Sequence, residues 1–429
     1  MPIHSLADAL RQHARGFAWV GLGLLLLLAP LVFTSSLGHA LLSQIGIAMI
    51  VCLSYNLLLG EGGMLSFGHA VYSGMGTFLA IHTLKLVGGG LPLPVSLVPL
   101  AGGLAALLLA ALLGWVTTRK SATPFAMITL GVGELVWAAS LMFPEFFGGE
   151  GGVSANRVAG TRPFGVSYGP QIHLYYLIAI YTLVCAGLMA AFTHTPLGQM
   201  LNAVRDNPER AGFVGYDAQK VRYIAFVIAA FFAGVSGGLA ALHFEIATSE
   251  VFGSHRSGNY LLFTVLGGTT FFFGPIIGAV LMVLANVFAS ELTRAWLLYL
   301  GFAFLLVVML APGGLASLLV RGLHLARAGK PLALALAGVG LSVTLLIALG
   351  GAAAMVEMLY HQQLGSALGT RLQFMGLTLD ADDTRSWLAA ASVLLLGVVS
   401  FEATRRRVVR RWRAMAPHTA SADGKGRVE

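Results

Sequence analysis

Asn56, Glu61, Ser66 and His69 lie in one short segment, YNLLLGEGGMLSFGHAVYSGMG (55–76), interleaved with six glycines and flanked by apolar runs. An amide, a carboxylate, a hydroxyl and an imidazole so close together could bind a polar solute or pass a proton. Hydrogen bonding between packed helices uses the same residue types, and for His69 taken alone it is the plainer account. Glycine permits turns and close backbone approach. Backbone groups freed at membrane depth are tolerated only within protein or beside water. The expectation is a broken or tightly packed element lining a solute path, with Asn56, Gly62, Gly63, Ser66, Gly68 and His69 as candidates. Helix contact through small residues is the alternative.

A second break is expected in LGGTTFFFGPIIG (266–278). Helical hydrogen bonding fails before Pro275, whose ring clashes with the preceding turn, so two helical pieces meet there. Gly267, Gly268, Gly274 and Pro275 join the candidate path or gate. Both breaks set two adjacent glycines shortly before another glycine and an apolar helix, a hint of internal duplication. Glu134 falls near the middle of an apolar run, where an ionised carboxylate is costly in lipid and marks a bundle-facing or functional position. A neutral, structurally hydrogen-bonded glutamic acid is the other reading. Gln44 and Asn286 read as interhelical hydrogen-bond partners. Phe271, Phe272 and Phe273 could line an apolar passage or simply pack against lipid and helices.

The segment TPLGQMLNAVRDNPERAGFVGYDAQKVR (195–222) concentrates charges of both signs in a chain that otherwise avoids them. Thr195 can cap a helix opening at Pro196. Asn207 and Pro208 mark a second start, with Glu209 favourable in its first turn, and Gly215 marks its end. Two short amphipathic helices folded together would make a protrusion for a soluble partner. A solvated loop that only sets topology is the alternative.

The elements that hold these groups follow from composition. The 429 residues are 57% apolar and 10% charged, whereas soluble domains carry about 25% charge. So few charges cannot dress a soluble surface. A soluble enzyme is excluded, and an all-α polytopic membrane protein is expected, with about 11–12 membrane segments including broken or short helices. Apolar runs fall near 17–33, 41–59, 64–84, 93–116, 122–143, 172–192, 223–243, 260–291, 297–320, 331–353 and 387–404. If 260–291 crosses twice, 19 of the 26 Lys and Arg face the cytoplasm and 7 face outside; if it crosses once, the split is 11 to 15. The preference for positive charge inside selects two passes, with both termini cytoplasmic. The first helix is expected to stay uncleaved. Cys52 and Cys185, both within apolar runs, read as buried thiols. Neither a Walker sequence nor GxGxxG occurs, so energy must come from an ion gradient or from a separate subunit.

Four blocks, YNLLLGEGGMLSFGHAVYSGMG (55–76), FAMITLGVGELV (125–136), PLGQMLNAVRDNPERAGFVGYDAQKVRYIAFVIAAFFAGVSGGLAA (196–241) and VLGGTTFFFGPIIGAVL (265–281), carry a family resemblance. Together they resemble the LivM-like permease subunits of branched-chain amino acid ABC importers, whose near relatives include urea and short-amide permeases. The resemblance implies an importer permease domain over 17–320 in a bacterial inner (plasma) membrane. It also implies a homologous second permease subunit (LivH-like), two cytoplasmic ABC ATPase subunits and an extracytoplasmic solute-binding protein. The chain itself would be non-catalytic and bind no cofactor or metal, with ATP and Mg on the partner subunits. The coupling pattern of such importers, Glu-Ala-Ala, three residues, then Gly, is visible only in degenerate form as Glu209, Arg210, Ala211 and Gly215. Ile224 stands near the expected isoleucine, and no Leu-Pro follows. Arg205, Asp206, Glu209, Arg210, Ala211 and Gly215 are then the coupling candidates. An ion-coupled secondary transporter, with His69 and Glu134 as its ion or proton site, is the competing class.

Outside this domain, 1–16 reads as a cytoplasmic N-terminal tail and 331–404 as an additional transmembrane hairpin with an external loop at 354–386. The loop holds Glu357, His361, Arg371, Asp380, Asp382 and Asp383, spaced too widely for a transition-metal site. The basic cytoplasmic tail 405–429 opens with RRRVVRR (405–411), expected to anchor the last helix near anionic lipid rather than to bind nucleic acid.

Overall fold

The computed structural model describes residues 19–158, 167–292, 295–311, 313–327, 331–364, 371–374 and 377–415. It is a polytopic helical protein. Among the described residues, seven helices are long and apolar enough to cross a membrane: Ser36–Glu61, Val95–Thr117, Ala122–Met142, Gln171–His194, Ala218–Phe244, Val343–Gln363 and Thr384–Arg407. Trp296–Met309 with Gly314–Val320, bent by 53°, makes an eighth if the pair is one span, and Trp19–Val32 and Gly274–Ala289 are shorter apolar helices.

Two compact units divide the chain, one of Met1–Phe288 with Phe302–Leu318, the other of Ala289–Gly301 with Leu319–Glu429. In the first, the main helices are α1 (Trp19–Val32), α2 (Ser36–Asn56), α3 (His69–Gly88), α4 (Val98–Thr117), α5 (Ala122–Met142), α6 (Gln171–His194), α7 (Pro196–Asp206), α8 (Pro208–Phe213), α9 (Ala218–Phe244), α10 (Ser254–Gly267) and α11 (Gly274–Leu284).

The centre of this unit is α9 against α3 and α4, with α2 packed on α6, α9 and α11. Lipid tails are as apolar as leucine, so helices associate by close packing and hydrogen bonds rather than by burial from water. Glycine supplies the close packing. A Cβ on Gly237 would fall on the Ser73 carbonyl oxygen, one on Gly76 would collide with the Gly234 backbone, and one on Gly102 would lie 2.6 Å from the Gly76 carbonyl oxygen. Hydrogen bonds then cross between helices, from Thr77 Oγ1 to the Gly237 carbonyl (3.1 Å) and from Ser236 Oγ to the Ile47 carbonyl (2.9 Å). Tyr72 and Phe226 fill the space beside this contact, edge to face at 5.2 Å.

The two expected breaks are both present. The helix begun at Ser36 loosens into a π-helical turn, Leu57–Glu61, and α3 does not start until His69, so the apolar run at 64–84 opens with an irregular stretch. The run 260–291 parts into α10 and α11 around residues 268–273, with Pro275 in the first turn of α11. The second glycine of each pair has positive φ, Gly63 at 63° and Gly268 at 115°.

In the second unit, α14 (Pro331–Leu364) packs on α15 (Thr384–Met415); ahead of them in the chain come α12 (Trp296–Leu310) and α13 (Gly314–Arg327), each contributing residues to both units. The segment 354–386 is not simply a loop. α14 continues to Leu364, and β1 (Arg371–Phe374) pairs antiparallel with β2 (Leu377–Asp380). Trp387 Nε1 and Gln362 Nε2 both donate to the Ala381 carbonyl at 2.8 Å, tying the helix ends together. The basic stretch at 405 likewise continues α15, where Glu402 pairs with Arg405 (2.7 Å) and Arg406 (2.8 Å). The tails 1–16 and 416–429 lie outside the described residues.

Candidate functional site

Helix α7 opens as the sequence leads one to expect: Thr195 Oγ1 accepts from Gly198 N at 3.2 Å, and Pro196 takes the first helical position. Asn207 Oδ1 accepts from Arg210 N (3.0 Å) to open α8, and Gly215 at φ 94° follows its end. Asp217 Oδ1 accepts from Gln219 N (2.9 Å) and Lys220 N (3.3 Å) to open α9. Each cap satisfies backbone donors that a helix start leaves free. The result is a compact protrusion pinned at both ends. Leu201 and Val204 are buried in it, and Ala211 is buried between α8 and its surroundings. Phe213 (89% exposed) and Val214 (74% exposed) form a bare apolar tip.

The first break and this protrusion touch. Arg205 donates from a terminal nitrogen to the Gly60 carbonyl, and its Nε pairs with Asp206 at 2.9 Å. Asn202 Nδ2 donates to Glu61 Oε2 at 2.7 Å. Gly63 has room for no side chain, since a Cβ there would lie 2.7 Å from Arg205 Cγ, and one on Gly62 would lie 3.3 Å from Leu201 Cδ1. The second break reaches the same end: a Cβ on Gly60 would lie 2.8 Å from the Thr269 carbonyl oxygen. There Gly267 crosses Gly274 and Gly278, while Gly268 lies against Gly313 and Gly314. Phe272 and Phe273 pack on Trp19 of α1, at 6.1 and 6.0 Å between rings.

Three polar groups of the first break are buried in protein, and Glu61 is half-buried. His69 and Ser66 are fully enclosed and Asn56 nearly so. Ser54 Oγ donates to the Ala229 carbonyl (2.6 Å), leaving His69 Nε2, 3.0 Å away, to donate to Ser54. Tyr55 hydroxyl donates to the Ser66 carbonyl (2.6 Å), and a Cβ on Gly68 would collide with the Thr129 carbonyl. Among the described residues, His69 Nδ1 and Asn56 Oδ1 have no hydrogen-bond partner. These residues brace α2, α3 and α5 against one another.

Glu134 is placed elsewhere. It is exposed on α5 and lines a cavity of about 740 Å³. Gln44 and Ile47 of α2, Arg256 and Asn259 of α10 and Asn286 beyond α11 share that cavity. It lies beside the middle of α2, the start of α10 and the end of α9, whereas the protrusion meets the π-helical turn that follows α2 and leads into the start of α9. The two features thus lie toward opposite ends of α9. Beside the cavity, Val153 pairs with Ala247 in a two-residue ladder. Arg157, only 8% exposed, donates to the carbonyls of Tyr168 (2.9 Å), Gly169 (3.1 Å), Leu242 (3.2 Å) and His243 (3.3 Å). Glu250, Arg256 and Asn259 belong to no motif; only their charge and polarity at the edges of apolar runs could have signalled them.

Residues 39–311 match the family described as branched-chain amino acid transport system / permease component. The chain belongs to that family. Over 293 residues it is 28% identical to the high-affinity branched-chain amino acid transport system permease protein LivM of Salmonella typhimurium, covering 63% of this chain and 67% of the relative. The LivM protein of Escherichia coli is 27% identical over 292 residues, with the same two shares. A probable branched-chain amino acid transport permease protein LivH of Methanocaldococcus jannaschii is 25% identical over 255 residues, 57% of this chain and 79% of that one. No solved structure matches the chain. The matched stretch contains both breaks, the protrusion and the cavity, whereas α14 and α15 of this permease lie beyond it.

Proposed function

We propose that this permease is the transmembrane subunit of an ATP-driven importer in a bacterial inner membrane, for branched-chain amino acids or related small solutes. Separate ATPase subunits act on it through the 196–222 segment. The observation that carries the reading is the contact of α7 with the first break, through Arg205 on Gly60 and Asn202 on Glu61. A force applied to the capped protrusion passes to the end of α2 and the start of α3 without crossing a flexible linker. The exposed Phe213 and Val214 are the tip that an ATPase groove would receive, with Glu209 and Arg210 flanking it. Arg205 serves as the root of the protrusion, and its guanidinium faces the permease itself.

A homologous LivH-like permease would complete the membrane part, an extracytoplasmic binding protein would deliver the solute, and ATP with Mg would be held by the ATPases. The test is reconstitution in proteoliposomes with those partners, measuring uptake of leucine, isoleucine, valine, urea and acetamide. Uptake that needs ATP and every partner is the expected result, and uptake of urea or acetamide alone would move the assignment to an amide permease. Solute accumulation by the chain alone under an ion gradient would remove the reading in favour of a secondary transporter.

A further inference from the structure

We infer that the cavity beside Glu134 is a subsite for the zwitterionic head of an α-amino acid, with Arg256 receiving the carboxylate and Glu134 the ammonium group. The inference rests on the import function proposed above and deepens it.

The cavity joins charges of both signs to an apolar wall. Glu134 comes from α5, Arg256 from α10, and Ile47, Ala48 and Val51 from successive turns of α2. Glu134 makes no hydrogen bond or ion pair among the described residues. Arg256 donates through Nε to the Tyr260 hydroxyl at 2.8 Å, which fixes the guanidinium plane, and among the described residues its two terminal nitrogens have no acceptor. Opposite charges lining one cavity would normally pair with each other, and among the described residues these do not. An ionisable group kept unpaired within a membrane bundle is costly and marks a functional position. A carboxylate matches the free edge of a guanidinium, and an ammonium group matches Glu134.

The remaining groups fit the same ligand. Tyr260 is itself positioned from Ser73, 3.4 Å away, so the arginine is braced from the buried centre of the bundle. A branched aliphatic side chain would rest on Ile47, Ala48 and Val51, where apolar surface favours it. Glu250 also lines the cavity, on the turn Ser249–Phe252, and adds negative charge near its rim. A neutral amide would use neither the guanidinium nor the carboxylate to advantage.

The experiment uses the complete transporter in proteoliposomes, with radiolabelled leucine as probe and a binding protein that selects the solute before the permease meets it. The measured quantity is leucine imported per ATP hydrolysed. Arg256→Gln and Glu134→Gln should each lower that ratio at least five-fold, while assembly and the stimulation of ATP hydrolysis by loaded binding protein stay as in the wild type. Arg256→Lys should recover part of it. Glu134 sits on an exposed helix face, so its variant decides the matter even if Arg256→Gln does not assemble. An unchanged ratio in Glu134→Gln overturns the subsite and leaves the import function standing. Wild-type import of urea or acetamide but not leucine overturns the subsite too. Absence of any ATP-dependent uptake by the wild type instead overturns the import function.

Discussion

Asn202 Nδ2 meets Glu61 Oε2 at 2.7 Å, joining α7 to a π-helical turn 141 residues earlier in the chain. With Arg205 on Gly60, it ties the protrusion to the first break. Asn202→Ala should leave membrane insertion and ATPase association intact while lowering ATP-driven uptake several-fold. Uptake in proteoliposomes, set beside co-purification, measures both, and full uptake would show that this bond carries no force.

The tip makes the complementary prediction. Phe213→Asp with Val214→Asp changes side chains that touch solvent, so thermal unfolding in detergent should stay within about 0.5 kcal/mol, as for other surface substitutions. ATPase subunits should be lost from affinity-purified complexes. Their retention at wild-type stoichiometry would place the docking surface elsewhere.

Gly237 tests the small-residue contact. A methyl group there meets the Ser73 carbonyl, backbone that cannot swing aside, whereas Gly187 has nothing within 4 Å of an added Cβ. Overpacking of this kind costs about 1–3 kcal/mol. Gly237→Ala should therefore lower the unfolding temperature clearly, and Gly187→Ala should be neutral or slightly stabilising through helix propensity. Equal effects would contradict the packing described.

Arg157 gathers four carbonyls and the Glu245 side chain at the cavity end of the bundle. Truncation to Ala leaves those acceptors in a place shielded from water, a loss of about 2–3 kcal/mol. The expected readout is faster proteolysis near residues 153–158, and an unchanged cleavage pattern would argue against a clasp.

Sidedness can be read chemically because Cys52 and Cys185 are both buried. With a membrane-impermeant maleimide, Glu250→Cys should label on intact cells and Glu209→Cys only after permeabilisation. The reverse pattern would invert the whole topology and the proposed coupling with it.

The protrusion was legible from sequence because capping is local: Thr195 and Asn207 each need only the next three residues to do their work. The second break was legible for the same reason, as Pro275 acts on its own turn. The role of Ser66 and His69 was less so. Glycines suit both a lined path and a tight contact, and only the fold sets Thr129 against Gly68 and Ser54 against His69. The cavity could not be read at all, since Gln44, Glu134, Arg256 and Asn286 are brought together by packing across more than 240 residues of chain. At 371–380 a signal existed in the alternation of Arg-Leu-Gln-Phe and Leu-Thr-Leu-Asp, the period of a strand. The charges nearby drew attention to solvation instead.

Where Gly76, Gly102 and Gly234 meet, main chain lies against main chain with no cushion between. Helices separated by leucines can shear by exchanging rotamers, but bare backbones have nothing to exchange. α3, α4 and α9 therefore travel as one block, and any swap of opening from one side of the bilayer to the other falls to the helices around it.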